Sequence, residues 1–164
     1  MEIIFMRAEI VDASKLIEVQ NMSFADDFEK YGECPAYNET EENMLDMIRN
    51  VIVYKIIGNE EIIGNVILRN RGNGEYYLKI IAVIPSYQNL GIGTKAIKFI
   101  ENDNKQVTDW SLITPEQNYR NRHFYEKLGY TKFGEDKHSE RLTLIKYKKK
   151  ADRLWKEYLH TTII

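Results

Sequence analysis

The residues best equipped for chemistry form one run, Val83-Ile84-Pro85-Ser86-Tyr87-Gln88-Asn89-Leu90-Gly91-Ile92-Gly93-Thr94, in which an apolar strand stops at a proline, turns through glycine and opens a helix. A helix starting near Thr94 begins with backbone N–H groups that lack intrahelical acceptors. With the positive end of the helix dipole, these attract a phosphate or pyrophosphate. Gly91 and Gly93 have no Cβ and tolerate positive φ, so the backbone can approach such an anion closely. The segment Gly91-Ile92-Gly93-Thr94-Lys95-Ala96 also satisfies the dinucleotide fingerprint G-x-G-x-x-A. That fingerprint, however, works between parallel strands joined by helices, and the strands preceding it here are joined by tight turns that force antiparallel pairing. The Walker pattern fails because Lys95 lacks the glycines it requires.

The elements that must position this run are legible from hydrophobic period. Residues 3–7 read as a first strand, and Asp12 as the N-cap of a helix carrying Leu16, Ile17, Val19 and Phe24. Residues 25–38 read as a polar, aromatic loop with Gly32 and Pro35 as breakers, before Asn38 or Thr40 caps a short helix through Met44, Leu45, Met47 and Ile48. The period then changes to that of strands at 51–57, 62–69 and 75–84, separated by Gly58-Asn59-Glu60 and Arg71-Gly72-Asn73-Gly74, and these predict an antiparallel meander. Beyond the glycine run, residues 110–114 form a strand, 115–128 a helix closed by Gly129, and 130–133 with 142–147 a final hairpin. Residues 151–160 place Leu154, Trp155, Tyr158 and Leu159 on one helical face, which either packs on the chain's own sheet or makes a homodimer contact.

Composition narrows the class. The 164 residues fit one domain, 1–164, with a core over 3–147 and an extension over 148–164. One cysteine, Cys34, excludes an intrachain disulfide and a cysteine metal cluster. No apolar run reaches membrane-span length and the start lacks a basic leader, so a soluble cytoplasmic protein is expected, with no membrane partner. The formal net charge of -2 leaves no general basic field for nucleic acid, although Lys146, Lys148, Lys149 and Lys150 make a local basic run.

Val83-x-Pro85-x-x-Gln88-x-x-Gly91-x-Gly93 resembles the acetyl-coenzyme A loop of the GNAT superfamily of N-acetyltransferases, and Asn118 with Phe124-Tyr125-Glu126-Lys127-Leu128-Gly129-Tyr130 resembles a second block of that family. The order of elements over residues 3–147 is also similar. The resemblance implies an α/β (α+β) fold with a mixed, mostly antiparallel, splayed sheet of six or seven strands flanked by about four helices, plus a short C-terminal helix. It implies that Gln88, Asn89, Leu90, Gly91, Ile92, Gly93 and Thr94 hold the pyrophosphate of acetyl-CoA, and that Ile81, Ala82 and Val83 bond its pantetheine arm like an added strand. Asn118 is expected to bond the same arm or to position a water; Lys95 and Lys98 extend toward the outer phosphates.

The activity implied is transfer of an acetyl group from acetyl-CoA, without a metal, to the primary amine of a small molecule or peptide. Tyr125 is the expected general acid, since a phenol donates a hydrogen bond, or its proton, to a departing thiolate. No base stands out: alignment on Gln88 puts Tyr77 where some relatives carry a glutamate, and Glu75, two residues earlier on the same strand face, is the substitute acting through water. The acidic residues Asp26, Asp27, Glu29 and Glu33, interleaved with Tyr31 and Tyr37, would suit a cationic acceptor. His138 at the last hairpin's tip would line the acceptor mouth. A non-catalytic acyl-CoA sensor or scaffold is the alternative.

Overall fold

The computed structural model describes residues 1–151. In chain order these form β1 (Ile3–Arg7), a 3-10 turn (Ile10–Asp12), α1 (Ala13–Tyr31), α2 (Glu41–Asn50), β2 (Ile52–Gly58), β3 (Glu61–Gly72), β4 (Glu75–Val83), a second 3-10 turn (Pro85–Tyr87), α3 (Ile92–Asp103), β5 (Asp109–Pro115), α4 (Tyr119–Lys127), β6 (Thr131–Lys137) and β7 (Thr143–Lys150). The strands make one seven-stranded sheet in the order β1-β2-β3-β4-β5-β7-β6. Every neighbouring pair is antiparallel except β4 and β5. Both hairpin turns are two-residue loops with positive φ at each centre, Asn59 and Glu60 in the first, Asn73 and Gly74 in the second. That geometry matches the strand twist and sets the meander's register.

Alternation along the strands splits the core between two faces. Ala13, Leu16, Met44 and Met47 of the first two helices cover Val53, Ile67, Ile80 and Ala82. Ile92, Ala96, Ile97 and Ile100 of α3, with Tyr125 of α4, cover Tyr54, Val66, Leu68, Trp110 and Ile145 on the other face.

The parallel pair is short. β4 and β5 meet only through Glu75↔Asp109, Tyr76↔Trp110 and Tyr77↔Ser111, whereas β4 stays paired to β3 as far as Val83 and β5 to β7 as far as Pro115. Beyond Tyr77 the two strands therefore part. Next to the parting the β3–β4 register jumps from Ile67↔Ile80 to Leu68↔Leu78, leaving Lys79 as the extra residue of a bulge.

Several element boundaries differ from expectation, among them β6, which runs to Lys137, and β3, which runs to Gly72. Asp12 does not cap α1 with its side chain. Its carboxylate accepts instead from the Glu9 N–H at 2.7 Å and from Lys55 Nζ at 2.8 Å, closing the preceding 3-10 turn. The stretch 25–38 is helical to Tyr31, because its Asp, Glu, Phe and Lys residues tolerate a helix and the first true breaker is Gly32, left-handed at φ 75 with its N–H on Phe28 O. α4 starts at Tyr119 rather than at Pro115, which ends β5 opposite Leu144. The helical face expected over 151–160 lies outside the described residues beyond Ala151.

Candidate functional site

Two parallel strands that diverge toward their C-terminal ends, each followed by a helix N-terminus, make a crevice with a positive rim. Thr40 caps α2 through its hydroxyl, but Gly91 before α3 supplies no side-chain cap, so the first N–H groups of α3 are left for a ligand. In the turn that precedes α3, Asn89 and Gly91 are both left-handed, at φ 63 and 77, an alternation that makes a concave backbone suited to anions. Gln88 braces this turn: its Nε2 donates to Val83 O at 2.8 Å, and its Oε1 accepts from Arg120 Nη1 of α4 at 3.0 Å. Leu90 is exposed, Ile92 is buried in the core, and Thr94 is half-buried on the first turn.

The two glycines have different reasons to be glycine. At Gly91 the positive φ requires it, and nothing lies within 4 Å of where a Cβ would stand. Gly93 sits inside α3 without a positive φ, and a Cβ there would meet Phe124 Cζ at 3.1 Å. Of the two glycines only Gly91 uses its tolerance of positive φ; at Gly93 the missing Cβ also makes room for Phe124 of α4.

At the apex of the crevice lies Tyr77, the last residue of β4 paired to β5. Tyr125 is 6% exposed, with the rings of Phe124 at 5.0 Å and Tyr130 at 5.8 Å. Burial raises its phenol well above the ordinary range, and the neighbouring Tyr77 adds to the rise. Tyr77 is itself raised by burial, opposed by the Arg71 and Arg69 charges. Burial also raises Tyr130, whose hydroxyl is enclosed without a partner among the described residues.

The remaining expected site residues occupy definite places. Ile81, Ala82 and Val83 lie on the part of β4 that β5 has left, where strand backbone on that side has no sheet partner among the described residues. Asn118 caps α4, its Oδ1 accepting from the Asn121 N–H at 3.0 Å, so its amide nitrogen is the end left for a ligand. Glu75 lies on the closed side of the apex, where Ser111 Oγ donates to it at 3.2 Å and Arg71 Nη1 forms an ion pair with it at 3.8 Å.

On the α1–α2 face the two lips of the crevice are tied together. Arg141 of the β6–β7 connection donates to Lys30 O at 2.6 Å, placing a cation at the C-terminal end of α1. His138 Nε2 lies 3.6 Å from Glu33 Oε2. Asp26, Asp27 and Glu29 are on α1 itself and only Glu33 follows it. Asp27 is raised chiefly by burial, and Cys34 likewise, with Asp27 adding to the latter, so that thiol is not an activated nucleophile.

Spacing gave no sign of several residues that shape this site. Asn65 Nδ2 donates to Gln20 Oε1 at 2.7 Å and Gln20 Nε2 to Ala36 O at 3.1 Å, all buried, fixing segment 32–40 on the sheet. Arg141 and Arg120 are as obscure, because their partners are distant in sequence. A buried polar residue on an otherwise apolar strand, as at Asn65, was the one available signal.

Among the described residues no cluster of three His, Cys, Asp or Glu is placed to hold a metal, and no helix is long and apolar enough to cross a membrane. The family model described as an acetyltransferase (GNAT) domain matches residues 49–132. YrkN, an uncharacterized protein of Bacillus subtilis (strain 168), is 29% identical over 109 residues, 62% of this chain; the chain spans 58% of that relative's length. The fold is similar to that of the PaiA N-acetyltransferase of Thermoplasma acidophilum, solved with coenzyme A, at a TM-score of 0.72 and 19% identity over 89% of this chain and 98% of that one. It is also similar to the ribosomal-protein-S18-alanine N-acetyltransferase of Escherichia coli, at 0.77 and 16% over 92% and 95%. A third likeness is to YncA of Salmonella typhimurium, solved with its cofactor acetyl-CoA, at 0.74 and 15% over 93% and 95%.

Proposed function

Because this chain belongs to the GNAT acetyltransferase family, we propose that it moves an acetyl group from acetyl-CoA to a primary amine by direct attack, with Tyr125 as the acid. The observation that carries this reading is the parting of β4 from β5 after Tyr77. It leaves strand backbone over Ile81 to Val83 without a sheet neighbour on that side among the described residues, save that Val83 O accepts from Gln88 Nε2, and this stretch leads directly into the left-handed turn and the uncapped start of α3. Amide groups along a pantetheine arm suit the first, and a pyrophosphate suits the second.

Acetyl-CoA supplies, when bound, a thioester carbon open to an amine and a sulfur able to leave. Tyr125 holds its proton at Oη across the neutral range, since burial disfavours the phenolate. Its raised pKa, set against a thiol near about 8.5, makes it a better hydrogen-bond donor than a complete proton donor. Arg120 and Gln88 keep the turn and the start of α4 in fixed relation. Glu75, engaged by Ser111 and Arg71, acts at most through water.

On the acceptor side, Glu33 Oε1 and Tyr31 Oη are both enclosed without a partner among the described residues. Enclosed oxygens of this kind suit the N–H groups of an ammonium, supporting a cationic amine as acceptor.

A panel of amines assayed for free thiol release, with calorimetry of acetyl-CoA, tests the proposal. Binding followed by release with one or more amines supports it. Binding without release by any amine favours the sensor reading, and absence of binding removes both.

A further inference from the structure

At the opposite end of the sheet from the turn, the C-terminal ends of β1, α2 and β3 converge on a recess of about 620 Å³. Its lining includes Arg7, Arg49, Arg69 and Arg71, with Asn50 and Asn70 beside them. β1 and β3 both run antiparallel to β2, so their last residues share one edge of the sheet, and α2 delivers Arg49 to the same edge. Tyr76 of β4 also lines it, and the seven residue steps from there to Val83 separate the recess from the start of the turn by about 23 Å, so it is not the coenzyme cradle.

We infer that this recess binds a small oligophosphate anion. Half of the chain's eight arginines line it, and among the described residues no lysine does. The planar guanidinium fork fits phosphate oxygens two at a time, which an ammonium cannot do. All four arginines are exposed at the surface, and among the described residues the one carboxylate paired with them is Glu75, 3.8 Å from Arg71. Arg7 lies over the Tyr54 ring, and Arg49 and Arg69 have no acidic partner among the described residues. Like charges gathered without counter-charge repel one another, and a bound anion relieves that repulsion. Their field reaches inward: Lys79 is lowered first by burial and then by Arg69.

The C-terminal end of α2 opposes an anion with about half a charge, which Arg49 at that same end and the other three arginines outweigh. The recess has the size of a small-ligand site rather than of a nucleic-acid track.

Titration calorimetry with tripolyphosphate, on the wild type and on the double variants R49Q/R69Q and R49K/R69K, tests the inference without reference to acetyl-CoA. We expect saturable binding of one tripolyphosphate in the recess, weakened about tenfold or more in R49Q/R69Q and only partly restored in R49K/R69K, at unchanged Tm. Absence of saturable binding at millimolar concentration overturns it, as does binding that the glutamine variant leaves intact. Equal affinity for citrate removes the phosphate assignment. Affinity that rises with the length of a single-stranded oligonucleotide assigns the recess to a nucleic-acid backbone instead.

Discussion

The ring of Phe124 occupies the space that a side chain at Gly93 would need, its Cζ standing 3.1 Å from an added Cβ. Behind that ring is Tyr125, packed edge-on at 5.0 Å and itself buried, so Phe124 cannot withdraw without moving the proposed acid.

Gly93→Ala therefore trades a gain of about 1 kcal/mol in helix propensity against a crowded ring. We expect its stability to stay within about 1 kcal/mol of the wild type while kcat falls. Gly91→Ala meets no neighbour but forces a left-handed alanine, and should lose about 1–2 kcal/mol. Urea unfolding beside steady-state kinetics separates the two; equal effects of both on both would contradict the different reasons given for these glycines.

Tyr125→Phe keeps the ring and deletes the hydroxyl. If that hydroxyl serves the departing sulfur, kcat drops by about 10²- to 10⁴-fold with little change in acetyl-CoA affinity. Retained kcat would strip Tyr125 of its role.

Gln20→Leu leaves the Asn65 amide and the Ala36 carbonyl without partners in a closed space. Two such groups should lower stability by about 2–4 kcal/mol. Since Gln20 anchors segment 32–40, acceptor KM should rise more than acetyl-CoA KM; the reverse split would mean that this segment does not face the acceptor.

Alkali should unfold the protein in a defined window. Burial, and then the hydrogen bond it donates to Asp103, push Tyr54 from 10.0 up to about 12. A group raised in the folded state contributes stability that is complete below its unfolded value and is lost as pH climbs through its folded value. Unfolding midpoints should therefore hold below about pH 10 and fall toward pH 12. Tyr54→Phe should blunt that fall without abolishing it, because Tyr125, Tyr130, Tyr77 and Tyr147 are raised as well. A flat profile to pH 12 would refute the assignment.

The meander and the strand-to-helix turn were readable in the sequence because local signals decide them: Asn-Gly and Asn-Glu turns between β-branched runs, and Pro85 closing an apolar strand. The continuation of α1 to Tyr31 was not, since acidic and aromatic residues suit helix and loop alike until Gly32 ends the matter. Asp12 could only be assigned once Lys55, 43 residues away, was seen to share its carboxylate. The same holds for the site. Gln88 and Gly91 announce themselves through backbone chemistry, whereas Arg141 on Lys30 O and the arginine recess arise from chain segments that only the sheet brings together.

A strand that stands fourth of seven would ordinarily be sealed by neighbours on both sides. Past Tyr77, β4 is instead a rim, and a rim of Ile81, Ala82 and Val83 carries no charge to discourage another extended chain from pairing with it. The outermost strand β6 is defended by Lys132, Glu135, Asp136 and Lys137, a protection this inner rim lacks. This inner rim is thus a stretch of sheet open to self-association, and whatever fills the crevice acts also as a guard against aggregation.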